Sequence, residues 1–391
     1  MLFFVDEPYV SDFLKTTLRD HGIPVVNTEA AKKLALLPGT NLISEELAVS
    51  TARKSDDLVI YTTSENSIGW IAKNLPFSDY PERIERFKNK AKFRELTRSI
   101  FPGFYFKEVR YSDLEKISIE GLPTPFVIKP TVGFFSMGVH KVTGQKDWED
   151  TVHAIDREID AVRGLYPDEV LDISSFIIEE CIDGNEFAVD AYFNAGGEPV
   201  ILDILSHPFA SAADVSDRVY MTSKEIIEEN IDEFTTFVGK IGRLAKVSNF
   251  PVHIELRRDH QGRLLPIEVN PMRFGGWCST PDLAYMAYGI NPYLYYVNQR
   301  KPDWPELLKG KEGKLFSVIV LDNSTGKSAD EISSFDYEKV VSKFEKPIEL
   351  RKIDYTKYPV FGFLFAETPA DHFDELKYIL NSDLKEFITL Y

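Results

Sequence analysis

Between Pro251 and Pro271 the sequence reads PVHIELRRDHQGRLLPIEVNP, two runs of alternating side chains around a polar turn. In the first run Val252, Ile254 and Leu256 alternate with His253, Glu255 and Arg257; in the second, Ile267 and Val269 alternate with Glu268 and Asn270. A period of two is strand geometry, so each run buries one face and offers the other. The turn in RDHQGR joins them as a hairpin, and the parity of its loop decides the outcome. An even loop puts Glu255 and Glu268 on one face; a three-residue loop puts them on opposite faces. Two carboxylates side by side repel unless something positive lies between them. Two acids and an amide are hard oxygen ligands, a set that suits Mg²⁺ sharing its shell with phosphates. The competing reading is a solvated polar face whose acids are neutralised by Arg257, Arg258 or Arg273.

The rest of the chain bounds these options. Its 391 residues and 43% apolar content suffice for two or three domains with real cores. Sixty-two acids against 45 bases give a net charge of −17, which repels a nucleic-acid backbone. Phosphate binding in such a chain has to be local and metal-assisted. Cys181 and Cys278 form neither metal-ligand spacing nor a disulfide framework, which suits a reducing compartment. The N-terminal MLFFVDEPYV lacks the basic start and longer apolar core of a secretory signal. No apolar run approaches the roughly 20 residues that span a bilayer. The expectation is a soluble cytoplasmic protein with neither nucleic acid nor membrane as partner.

The first 80 or so residues alternate short apolar strands (LFFVD, IPVVN, TNLIS, DDLVIYT) with helical patterns, which predicts a small α/β domain with a parallel sheet. A charged helix is expected from Pro81 to about Arg98, then a strand at FVIKP (126–130), a glycine loop TVGFFSMGV, and a helix over 147–165. SFIIEECIDGNEFAVDAYFN (175–194) reads as two strands around an Asp183-Gly184-Asn185 turn. Phe234, Phe237, Val238, Ile241, Leu244 and Ala245 make an apolar stripe on a helix over 233–247. Beyond 301 the pattern predicts strands at 315–321, 348–353 and 360–366 and helices at 337–344 and 371–388. The Gly-Lys-Ser of STGKS (324–328) is an ordinary turn, because Leu321 stands where a phosphate-binding loop needs glycine.

A series of segments, taken together, resembles the ATP-grasp superfamily over about residues 85–300. HIEL…IEVNP resembles its metal-binding pattern, which implies that Glu255 and Glu268 bridge two Mg²⁺ ions (Mn²⁺ as a substitute) and that Asn270 binds one. Arg273 would lie near the γ-phosphate of ATP, although NPMR places it one residue later than the common pattern. VIKP resembles the strand that brings a lysine, here Lys129, to the α-phosphate and adenine edge; an ion-pair role is the alternative. FKNKAKFREL resembles the helix supplying a second phosphate lysine, best matched by Lys90, with Lys88 and Lys92 close by; the alternative is a basic solvated helix. TVGFFSMGV is similar to the loop that closes over the phosphates, with Phe134 and Phe135 as possible substrate-packing side chains. In EECIDGNE the Glu180 carbonyl and Ile182 amide would read adenine, Glu179 would assist, and Glu186 would bind the ribose hydroxyls.

The resemblance implies a three-part α/β architecture with α+β character: an N-terminal parallel domain (1–80), a two-lobe ATP-grasp domain (81–300, lid lobe about 105–180) and a C-terminal α+β domain (301–391). It implies an ATP- and Mg²⁺-dependent carboxylate–amine ligase, forming a C–N bond through an acyl phosphate from small-molecule substrates. Lys90 and Arg273 would serve the transfer itself. Two other classes stay open: a kinase-like phosphoryl transfer, and a nucleotide-binding module without turnover. Residues after VIYTTSENS (59–67) and the stretch FGGWCSTPD (274–282) are candidates for substrate contact, with Trp277 and Ser279 either touching substrate or packing a junction. His253 is either at the site or structural. The last 80 residues shape the pocket, form a homodimer or bind another partner.

Overall fold

The computed structural model describes residues 1–133, 138–162, 172–211 and 216–391. Its first sheet is parallel, with strands in the order Leu42–Ile43, Val25–Val26, Leu2–Phe4, Ile60–Thr62. The helices between them start at side-chain caps: Ser11, Thr28 and Ser44 each accept a hydrogen bond from an N–H of the first turn. Strand order reverses beside Leu2–Phe4, so the loops leaving Leu2–Phe4 and Ile60–Thr62 flank a topological switch point.

The charged segment after Pro81 forms two helices, Tyr80–Lys88 and Lys90–Thr97. Asn89 between them is extended (φ −82°, ψ 110°), and its side chain caps the second helix by accepting from the Lys92 N–H. On one continuous helix Lys88 and Lys90 would be about 200° apart. The break turns both inward, and both are buried.

A second sheet is antiparallel, in the order Phe106–Arg110, Asp172–Glu180, Phe126–Val132, His140–Val142. Helix Gln145–Val162 covers it through a core that includes Ile128, Trp148, Ile155 and Phe176. Residues 163–165 of the expected helix, and Phe134 and Phe135 of the glycine loop, lie outside the described residues.

The largest sheet has eight antiparallel strands: Leu264–Pro271, Phe250–Arg258, Asn185–Phe193, Pro199–His207, Val219–Ser223, Lys314–Asp322, Val360–Pro369 and Pro347–Lys352. The two strands around Asp183-Gly184-Asn185 therefore do not pair with each other. Asp172–Glu180 belongs to the four-stranded antiparallel sheet and Asn185–Phe193 to the eight-stranded one, so the turn is a passage between sheets. The helix expected over 371–388 is also broken. Asp374–Leu380 is helical, Leu384 takes a left-handed φ of 59°, and Ile388–Leu390 pairs with Ile332–Phe335.

Helix Lys224–Ala245 is capped by Ser223 and buries Phe234, Val238, Ile241 and Ala245 against the eight-stranded sheet. It crosses close to the sheet at Gly242, where a β-carbon would overlap the Phe193 ring. Replacing glycine by alanine inside a helix ordinarily gains about 1 kcal/mol. Here the sign reverses: Gly242→Ala should lower stability by about 1–3 kcal/mol through overpacking, read as a lower urea midpoint with an unchanged m-value.

Candidate active site

Glu255 and Glu268 are direct cross-strand partners, as are His253 and Asn270. Such partners in an antiparallel pair project to the same side of the sheet. Loop parity does not produce this. The ladder closes at Arg258 and Leu264 around a five-residue loop, an odd number that would set Glu255 opposite Ile267. A bulge between Glu255 and Leu256 shifts the register by one and restores Glu268 as partner. Pro266, which has no N–H for the ladder, stands at that bulge, and the Arg94 guanidinium grips it by donating to the Pro266 carbonyl at 2.5 Å and the Ile267 carbonyl at 3.4 Å.

Cations converge on one side of this acid pair. Lys90 Nζ is 3.0 Å from Glu268 Oε2. Burial by itself pushes the Glu268 carboxyl up, but Lys90, Lys88 and Lys129 outweigh it and hold the group far below the usual carboxylate range. Lys129 Nζ lies 2.6 Å from Glu179 Oε1, whose other oxygen accepts from Arg94 Nε at 2.7 Å. Glu179 is 3% exposed, with both oxygens engaged. Lys88 pairs with Glu65 and donates to the Gly133 carbonyl at 3.1 Å, where the glycine loop begins. Lys92 turns outward to Glu85, leaving Lys88 and Lys90 as the lysines that this charged segment brings to the site.

The other acid is treated differently. Burial, then the neighbouring Glu268, Asp217 and Glu186 charges, push the Glu255 carboxyl well above its ordinary range. Arg257 pairs with Glu186, Arg258 with Glu233 and Arg273 with Glu65. Among the described residues, then, the arginines that could have neutralised the acid pair are engaged elsewhere. His253 Nε2 lies 3.9 Å from Glu255, while its Nδ1 is held 2.8 Å from Asp190. Asp190 is fully buried and also accepts from the Gly275 N–H at 2.9 Å and the Thr280 hydroxyl. One carboxylate therefore fixes both the histidine and the loop bearing Arg273.

Glu180, Cys181 and Ile182 begin the passage between the sheets. The Glu180 N–H donates to the Tyr105 carbonyl at 3.1 Å, and the Ile182 carbonyl accepts from Arg257 Nη1 at 2.6 Å. Glu186 accepts from Arg257 Nε at 2.8 Å and Nη2 at 2.7 Å, and meets His207 Nδ1 at 3.1 Å. Burial pushes its carboxyl up, but His207 and Arg257 more than offset that and lower it. Trp277 packs edge-on against Tyr358 and beside Phe363, and Ser279 donates to the Gly276 carbonyl at 2.7 Å. Both serve packing and turn structure here.

Sequence reasoning missed Glu65, Arg94 and Asp190 as individual site residues. Arg94 follows Lys90 by four positions on one helix, which puts the two side chains on the same face. Asp190 is the acid interrupting FAVDAYF on the strand face shared with Glu186. Glu65 lies in VIYTTSENS, just before the residues expected near substrate, and carries no local signal; only the fold brings it to Arg273.

Residues 122–281 match the family model of the ATP-grasp domain. Comparison with curated proteins by sequence gives no match. Among solved structures, an L-amino acid ligase from Bacillus licheniformis superposes with a TM-score of 0.71 at 19% identity, covering 100% of this chain and 98% of that one. Biotin carboxylase from Campylobacter jejuni in its βγ-ATP complex gives 0.64 at 12% identity, covering 100% and 92%. N5-carboxyaminoimidazole ribonucleotide synthetase from Thermotoga maritima gives 0.63 at 15% identity, covering 100% and 99%. At these identities the likeness is one of fold.

The Glu179 cluster yields a stability test. Burial opposes ionisation of Glu179, but Arg94 and Lys129 prevail and hold its carboxyl at about 2, below the ordinary 4.5. A depressed carboxyl stabilises the fold fully above the unfolded value and loses that contribution as pH falls toward the folded one. Glu179→Gln should cost about 3–5 kcal/mol at neutral pH by urea denaturation, because two buried cations lose their partner. The gap between variant and wild type should narrow as pH drops from 4.5 toward 2.

Proposed function

An ATP-grasp domain spans residues 122–281 of this chain, and from that premise we propose that the protein is an ATP- and Mg²⁺-dependent ligase joining a carboxylate to an amine through an acyl phosphate. The observation that carries the reading is the direct pairing of Glu255 with Glu268 on one sheet face, next to buried lysines. The donor set fits a hard divalent cation. Two carboxylates share a face, and Asn270 spends its Nδ2 on Glu268 Oε1 at 3.1 Å, leaving its carbonyl oxygen as the third ligand. Among the described residues no three His, Cys, Asp or Glu side chains form a cage, so phosphate oxygens and water would complete the shell.

In this assignment Glu255, Glu268 and Asn270 hold the metal, two ions by the family pattern. Lys90 and Lys129 contact the phosphates, and Arg273 faces the γ-phosphate and the group being transferred. The Glu180 carbonyl and Ile182 amide read the adenine edge, with Glu179 orienting Lys129. Glu186 takes the ribose hydroxyls: three of a carboxylate's roughly four acceptor positions are occupied, which leaves room for one more donor. Bound Mg²⁺ supplies charge neutralisation along the triphosphate. Phosphoryl transfer from ATP to a carboxylate needs positioning and charge stabilisation in place of a protein nucleophile, and the lysines and Arg273 provide both. An amine then displaces the phosphate to form the amide.

The test is Mg²⁺-dependent ADP release from ATP, with pools of carboxylates and amines. L-amino acids come first, because the Bacillus licheniformis ligase is similar in fold along its whole length. Glu268→Gln should lower turnover about 10²-fold or more while a cooperative melting transition is retained; wild-type activity in that variant refutes the site. A stable phosphorylated product in place of an amide points to kinase-like transfer. ATP binding without ADP release in any pool points to a binding module. Glu186→Ala should weaken ATP affinity about tenfold by calorimetry, as expected for loss of one charge-assisted hydrogen bond. Unchanged affinity counts against the ribose role.

A further inference from the structure

We infer that Glu65, supplied by the N-terminal parallel sheet, is a positioning residue that aims Arg273 at the reacting end of the nucleotide site. Its carboxylate is shared: Oε2 pairs with Lys88 Nζ, and Oε1 lies 3.1 Å from Arg273 Nη2. Lys88 continues to the Gly133 carbonyl. One buried acid thereby joins the end of a parallel strand, the helix carrying Lys88, the entrance of the glycine loop and the loop of Arg273.

The mounting of Glu65 is what a strut requires. It opens the turn Glu65–Ser67 after strand Ile60–Thr62, at the switch point of the parallel sheet. That turn, with Thr63 just before it, is tied to Phe4 and the loop that follows by several hydrogen bonds. Thr63 N donates to the Phe4 carbonyl at 3.0 Å, Asp6 N to Thr63 Oγ1 at 2.9 Å, the Ser67 hydroxyl to Asp6 Oδ2 at 2.9 Å and Asn66 Nδ2 to the Glu7 carbonyl at 3.2 Å. The Arg273 backbone is equally fixed. Met272, with φ at 70°, accepts from the Thr62 N–H at 2.8 Å and donates to the Pro251 carbonyl at 2.8 Å. Gly275 is anchored to Asp190. Both backbones being held, the direction of the guanidinium depends on what its tip meets, namely Glu65 and, through Nη1, the Phe274 carbonyl at 2.9 Å.

This inference rests on Arg273 facing the γ-phosphate as proposed above. The discriminating variant is Glu65→Asp, which keeps the charge and draws the carboxylate back by one methylene. A group needed only for charge balance tolerates that change; a group that aims the Arg273 guanidinium does not. Mg·ATP and Mg·ADP binding to the full chain are measured by calorimetry for wild type, Glu65→Asp, Arg273→Gln and the double variant, with melting temperature recorded for each.

The expected result is that wild type prefers ATP and that Arg273→Gln and Glu65→Asp each reduce this preference about tenfold, as for one misdirected charge-assisted contact. ADP affinity should stay near wild type, and the double variant should be no worse than Arg273→Gln, because the two residues act through one contact. Lost preference in Arg273→Gln with wild-type preference in Glu65→Asp overturns the inference and leaves the nucleotide reading standing. An equal loss of ATP and ADP affinity in Glu65→Asp, with a lowered melting temperature, also overturns it in favour of a purely structural acid. An Arg273→Gln variant that keeps the wild-type preference refutes the placement of Arg273, and the inference falls with it.

Discussion

Two carboxylates are forced to face each other across an antiparallel ladder, and the surrounding structure answers that repulsion unevenly. Glu268 is drawn into a field of lysines and stays ionised; Glu255, turned toward Glu186, Asp217 and His253, is pushed toward its protonated form. A chain selected only for stability would place an arginine beside Glu255 or an apolar residue in its stead. Arg257, Arg258 and Arg273 are close in sequence and are all bonded elsewhere. Local conflict kept in a well-packed sheet is what the proposed metal site would require.

Around the acid pair five cations are held by three anions: Lys129 and Arg94 by Glu179, Lys88 and Arg273 by Glu65, Lys90 by Glu268. Buried pairs of this kind are weak evidence for stability, since desolvation consumes much of the Coulombic gain. Their value is geometric. Each acid is mounted on a strand or a tied turn, so the long, flexible lysine and arginine side chains reach defined points in space. On the proposed function, a triphosphate entering the cluster would meet cations already desolvated and aimed, which is what catalysis by positioning requires.

Much of this was legible in the sequence because it follows from local periodicity. Alternation in VHIEL and IEVN showed which residues share a face, and the parallel N-terminal sheet followed from the succession of short strands and helices. What could not be read depended on distant contacts. Loop parity alone would have separated Glu255 from Glu268; the bulge that reunites them is gripped by Arg94, 172 positions away in the chain. The DGN turn was recognisable, but not that it leads from one sheet into another, because turn chemistry carries no information about pairing. The charged segment was expected as one helix, and the break at Asn89 that turns Lys88 and Lys90 to one site emerged only from the structure. Glu65 had no signal at all, since its importance lies entirely in what packs against it.

The C-terminal residues matched no motif, yet their place in the fold gives them a physical task. Strand Lys314–Asp322 pairs with Val219–Ser223, so the last strands extend the sheet that holds the acid pair. From the edge strand Pro347–Lys352, Arg351 reaches back to Asp282 at 2.7 Å and to the Cys278 carbonyl at 3.2 Å. Tyr358 and Phe363 close on Trp277. These contacts brace a loop in which Met272, Trp277 and Cys278 all take left-handed φ values of 70°, 57° and 54°, a conformation that side chains other than glycine adopt at a cost of about 1–3 kcal/mol each. A loop strained at three positions keeps its shape only when its surroundings determine it. Asp190 and Thr62 do so from one side, and the C-terminal strands do so from the other. The position of Arg273 is thus set by parts of the chain that contribute no ligand to the site.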